Sequence, residues 1–155
     1  MKMNRLMQER IRRVTVLLKE LGFELDDSIS GQDTFSAVIT NRENFEAEVV
    51  IDGDSKFLEL AYTFAFGSQM ANFLRERLED VLHALYEFGC YFGIHSDTEE
   101  ITLTIFSKIY FAGLNYFALK ETIRDFREAQ EVVQEIFSLE LAEEGSLDDE
   151  DDDSE

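Results

Sequence analysis

Side chains of the types that act as nucleophiles or transition-metal ligands occur three times in this sequence, as His83, Cys90 and His95. A thiol nucleophile needs an imidazole close enough to take its proton. The local pattern works against that, because His83 falls on the polar side of a helical stretch while Cys90 and His95 have opposite parity in a short strand. Cys90 reads as a small buried thiol. Carboxylates are abundant, yet Glu46 and Glu48 lie on the solvent side of an alternating strand, and nothing marks a desolvated acid. Asp52-Gly53-Asp54-Ser55 opens like a calcium loop but lacks the distal bidentate glutamate and the flanking helices, so it reads as a turn. Phe66-Gly67-Ser68 before a helix offers amides to an anion, but one glycine does not make a phosphate loop. The sequence therefore assigns no catalytic residue, no metal and no cofactor, and the expectation is a protein that is not an enzyme.

The elements that would position any site must fit in 155 residues, which suits one domain. Apolar residues are 45% of the chain, enough for a core. No apolar run reaches the roughly 18 residues of a membrane span, and the start, MKMNRLMQER, is too polar for a secretion signal. With one cysteine there is no internal disulfide framework and no multi-cysteine zinc or iron-sulfur site. A cytoplasmic protein without membrane contact is expected.

Charge is distributed unevenly. The net charge is -20, and Glu143 to Glu155 carries nine acidic and no basic residues, which leaves -11 for the rest. That segment repels itself and has almost nothing to bury, so residues 1–141 read as the domain and 142–155 as a disordered acidic tail. Lys2, Arg5, Arg10, Arg12, Arg13 and Lys19 cluster at the other end, mostly opposite the apolar stripe of the first helix. This balance argues against nucleic acid as a partner, since neutralising phosphates takes a broad basic surface.

Met7, Ile11, Val14, Leu18 and Leu21 recur at helical spacing and stop near Gly22. After a polar linker, strands are expected from Thr34 to Thr40, through Phe45, Ala47, Val49 and Ile51, and through Leu58, Leu60, Tyr62, Phe64 and Phe66. Short turns make them an antiparallel meander. A second helix runs from about Gln69 to Phe88 with Ser68 as candidate N-cap. Strands through Tyr91, Phe92 and Ile94 and from Glu100 to Ala112 follow, and a third helix runs from Asn115 to about Leu141. The expected class is α+β, a single domain of order α-β-β-β-α-β-β-α with an antiparallel sheet packed by helices.

The apolar arc of the second helix, which includes Phe73, Leu74, Leu78, Val81, Leu82, Leu85 and Phe88, covers nearly half its circumference. Covering one sheet takes about 100° or a little more. The excess, with Arg77 pointing into the same arc, suggests a second contact such as another subunit. Phe106 and Tyr110 fall on the second face of their strand and would add apolar surface. Phe73, Arg77, Leu78, Val81, Leu85, Phe106 and Tyr110 are therefore the candidate dimer or partner surface.

The element order, size, acid balance and amphipathic last helix, with the junction Tyr110-Phe111-Ala112-Gly113-Leu114, resemble the type III secretion chaperone-like and YbjN-like superfamily of bacteria over about residues 4 to 141. The resemblance implies a non-enzymatic, homodimeric protein that holds a segment of a client or effector extended over apolar patches. The leading expectation is thus a chaperone or adaptor for a protein partner. The alternative is an acidic charge-mimic or immunity-type inhibitor of a basic protein. A chain ending at Ala142 is expected to keep its far-UV circular dichroism and most of its thermal stability at moderate salt; a large drop in melting temperature would mean that the tail packs on the body.

Overall fold

The computed structural model describes the backbone of residues 4–153 and the side chains as far as residue 138. Helix α1 (Arg5–Glu20) begins where the Asn4 side chain accepts a hydrogen bond from the Met7 amide at 2.7 Å, satisfying one of the donors that every helix start leaves open. Its stripe of Met7, Val14 and Leu18 is buried, and Gly22, at φ +92°, supplies the left-handed backbone that ends it. Four strands follow: β1 (Glu24–Ser30), β2 (Thr34–Thr40), β3 (Glu46–Asp52) and β4 (Phe57–Gly67). A 3-10 turn over Ser68–Met70 opens α2 (Ala71–Glu87). The hairpin β5 (Tyr91–Ser96) and β6 (Glu100–Tyr110) leads through a second 3-10 turn, Phe111–Gly113, to α3 (Tyr116–Asp153).

All pairings are antiparallel, and the sheet order is β1-β2-β3-β4-β6-β5. The chain is an α+β single domain, with one strand more than expected. The stretch read as a polar linker after the first helix contains β1, which pairs with β2. Its sequence, ELDDSIS, has no clean alternation because its register shifts between Asp26 and Ile29, where Asp27 sits at φ +51°. A bulge of this kind removes the period-2 signal by which strands are recognised. At the far end, α3 continues as helical backbone past the expected end near Leu141. The expectation of a disordered tail over 142–155 falls on residues whose side chains lie outside the described ones.

Short polar side chains set the turns. Asn41 accepts from the amides of Glu43 and Phe45 at 3.0 and 3.1 Å in the β2–β3 connection, and Asp52 accepts from Asp54 at 3.0 Å after β3. In the β5–β6 turn Asp97 accepts from Glu99 and Glu100, both at 2.8 Å, which holds its carboxyl below the usual range. The Ser68 cap expected for α2 is not made: neither residue that precedes its two helical turns, Gly67 or Met70, bonds through a side chain.

Register divides the sheet into two unlike faces. Phe35, Ile51, Leu58 and Ile109 lie opposite one another on adjacent strands, all buried, and they share one core with residues from all three helices. The row three positions away, Val38, Glu48, Ala61, Phe106 and Tyr91, has the opposite parity and points to the other face. The helices thus cover one face and leave the other open. Part of the expected cationic face of α1 is used in this packing: Arg10 donates to the Ser55 carbonyl at 3.2 Å and lies 4.3 Å over the Phe111 ring, and Arg13 donates to the Leu114 carbonyl.

Phe137 of α3 joins α2 to the end of β4. Its ring meets Phe66 at 5.0 Å, Phe64 at 5.5 Å and Phe73 at 6.3 Å. Such ring pairs contribute about 0.5–1.5 kcal/mol beyond their area burial. Phe137→Ala is expected to lower stability by about 3–5 kcal/mol in a urea melt and to speed amide exchange in α2 more than in β2 or β3.

Candidate partner-binding surface

The wide arc of α2 is largely spent inside the chain. Phe73, Val81 and Leu85 are buried against the sheet and α3, so they belong to the core and offer nothing to a partner. Arg77 is 6% exposed; its guanidinium donates to the Phe73 carbonyl at 2.7 Å, lies 3.7 Å over the Phe73 ring and approaches the Glu76 carboxylate at 3.7 Å. A helical wheel cannot tell a second helix of the same chain from a second subunit, and here α3 is that second contact.

Leu78, Phe106 and Tyr110 remain accessible, but they do not form one surface. Phe106 and Tyr110 lie on the open face, where Phe106 stacks on Tyr91 at 5.2 Å and Tyr110 meets Phe57 edge-on at 5.7 Å. Lys108 sits over both Phe57 and Tyr110, and Tyr91 donates to a Glu59 carboxylate oxygen at 2.6 Å. Burial and that hydrogen bond push the Tyr91 phenol well above its ordinary range. The open face is therefore a pattern of rings, threonines and charges already paired with one another.

Leu78 lies on the helical side, at the margin of the sheet. With Ala71, Leu74, Ile94 and Ile101 it lines a groove between α2 and β5, to which Arg75 and Ser96 add a cation and a hydroxyl. Leu82 and Tyr86 continue the same stripe at helical spacing and are 54% and 82% exposed; Ile94 is 45% exposed. Sequence reading placed Leu82 in the arc but not at the surface, and missed Tyr86 and Ile94. Their signal was the Leu78, Leu82, Tyr86 repeat beside a strand without a formal charge.

The groove borders the last strand of the sheet. An edge strand carries a row of backbone donors and acceptors with no strand beside them, and proteins usually blunt such edges with charge, proline or a bulge. At one end β1 has Glu24, Asp26, Asp27 and its bulge. At the other, β5 reads YFGIHS, pairs regularly with β6 and has no acid, no lysine and no irregularity. One edge is guarded and the other is not.

The residues first considered for chemistry stay apart. His83 is exposed beside Glu79 at 3.8 Å, His95 is exposed on β5, and Cys90 is buried at the head of that strand. Among the described residues no group of three or more His, Cys, Asp or Glu side chains is placed to hold a metal, and no helix is long and apolar enough to cross a membrane. The Ser68 amide ahead of α2 already donates to the Glu99 carbonyl at 3.1 Å.

No family profile matches the chain, and no curated protein is similar to it. Its fold is similar to that of the crystal structure of an uncharacterized protein from Methanothermobacter thermautotrophicus, with a TM-score of 0.62 and 20% identity over 81% of this chain and 94% of that one. At that identity the likeness concerns the fold.

Burial pushes the Cys90 thiol up to about 11, with a bond to Ser107 offsetting part of the effect and Asp125 adding to it. Because this lies above the ordinary 9.0, the stability it contributes is full below pH 9 and is lost as pH rises toward 11. Alkylation of Cys90 at pH 8 is expected to be about 100-fold slower in the folded chain than in urea, the thiolate being scarcer by that factor, with the difference shrinking above pH 9. Equal rates in both states would show the thiol to be exposed.

Proposed function

We propose that this chain is a non-enzymatic protein-binding domain, a chaperone or adaptor, which takes an extended segment of a partner protein as an added strand along β5. The reading rests on the unguarded β5 edge beside the apolar stripe of Leu78, Leu82 and Tyr86. Strand addition divides the work in a way that suits a holder of varied segments: main-chain hydrogen bonds supply affinity independent of sequence, and the side pocket selects alternate residues. Here the groove of Leu74, Leu78 and Ile94 would favour an apolar residue at every second position of the bound segment. The resemblance to type III secretion chaperone-like and YbjN-like proteins points the same way, as does a cytoplasmic setting for a single reduced thiol.

The charge-mimic alternative draws on the net charge of -20 and would use the acidic segment in place of the edge. The two readings differ in salt response. Apolar and main-chain contacts survive at half-molar salt, where the Debye length is a few ångströms, whereas a complex held by long-range charge does not.

A partner crosslinked through residue 94 provides the test. Its binding should protect the amides of 91–96 from hydrogen exchange, persist at half-molar salt, and weaken at least about tenfold with Leu82→Glu plus Ile94→Lys. Loss of the complex at that salt, or on removal of residues 142–155, would favour the charge mimic. A chain that is dimeric alone and becomes monomeric with the same double substitution would make β5 of a second copy the added strand.

A further inference from the structure

A second concavity lies away from β5, between the exit of α1, the β2–β3 turn and the first turns of α3. Its volume is about 360 Å3, within the size range of small-molecule sites. The floor is apolar, made by Leu21, Phe23, Phe45 and Ile123, with the Phe23 and Phe45 rings edge-on at 5.7 Å. Tyr116 lines it from the start of α3. The floor is also firm, because Asn41 ties down the amides of Glu43 and Phe45 and thereby fixes the turn that forms one wall.

Above this floor stand three cations on one face of α3, Lys120, Arg124 and Arg127. Arg127 is taken: it is bound to Glu43, the one carboxylate that lines the pocket, and to Glu131 at 3.4 Å. Lys120 and Arg124 are exposed and have no ion pair among the described residues. Two cations without an ion-pair partner among the described residues thus stand over an apolar floor. Glu121 and Glu128 lie three residues before and four after Arg124 on the same helix, so any pull on an anion comes from direct contact with Lys120 and Arg124 and not from a long-range field.

We propose that this pocket binds a small organic monocarboxylate with an apolar body, its carboxylate at Lys120 and Arg124 and its body on Phe45 and Ile123. A phosphate group suits it less. Phosphate sites at helix starts use free backbone amides, and here Asn115 already accepts from the Ala118 amide at 2.8 Å and caps α3. What remains are side-chain cations, of which an arginine fork matches a carboxylate. The apolar floor would be wasted on inorganic anions.

Titration of the full chain with octanoate, followed by amide chemical shifts at physiological salt, tests the assignment. Octanoate should bind saturably, in the millimolar range or tighter, with shifts confined to residues 21–23, 41–45 and 116–127. Octanamide, of the same shape without the charge, should bind at least about tenfold more weakly. Lys120→Glu combined with Arg124→Glu, both exposed, should weaken octanoate by a similar factor and leave the circular dichroism unchanged, while Lys108→Glu on the open face should have no effect. The proposal is overturned by an absence of saturable octanoate shifts, by equal binding of octanamide, by unchanged affinity in the Lys120/Arg124 variant, or by inorganic phosphate displacing octanoate at equal concentration.

Discussion

The ring of Phe137 is the wedge on which the arrangement of this molecule depends. By meeting Phe64, Phe66 and Phe73 together it brings α3 across α2 and the end of β4 at one point. α2 must then lie over the β6 side of the sheet, and the chain that leaves it at Gly89 can only enter the sheet at the margin, as β5. The same contact consumes the inner half of the α2 arc. What α2 has left to offer, Leu78, Leu82 and Tyr86, is the stripe next to that margin. The apolar border beside an open edge therefore follows from the packing.

Elements with one strong period were legible in the sequence. β2 and β3 show strict alternation that matches their buried and open faces, and the turns between strands carry asparagine and aspartate where side chains bond back to the backbone. β1 was not legible, because a guarded edge strand is built from the residues that also make linkers: acids, serine and a bulge. Charges on α1 misled for a related reason. Arg13 looks solvated on a wheel and Arg10 sits near the edge of the apolar stripe, but a long side chain can reach past its own helix to a carbonyl or a ring, as both do here.

The candidate surface was legible only in part, and the misses share a cause. Burial of Phe73, Val81 and Leu85 is decided by where α3 lies, and the availability of β5 is decided by strand order; neither is a property of a local window. Leu78 was found because it belongs both to the inner arc and to the outer stripe. Arg77 was singled out correctly as a charge in an apolar arc that needs compensation. The structure provides a carbonyl, the face of a ring and the Glu76 carboxylate beside it. Around a desolvated cation a ring face contributes on the order of 2 kcal/mol, enough to make such a position tolerable without a subunit boundary.

The cationic pocket lies at the β2–β3 turn, three to four strand spacings of about 4.8 Å across the sheet from β5, or roughly 14–19 Å. One element touches both regions: the first turns of α3 line the pocket, and Phe137, later on the same helix, holds α2 against the sheet. Contiguity of that kind is not coupling. Two sites influence each other only through an element that has two arrangements of different affinity, and the influence is then reciprocal. α3 is buried from Leu119 through Phe126 and Val133 to Phe137 along a single stripe, so shifting it would move four core side chains out of close packing at once. A close-packed stripe resists small graded displacement. The fold thus favours independence: a ligand over Lys120 and Arg124 and a strand beside Ile94 should each bind as if the other site were empty.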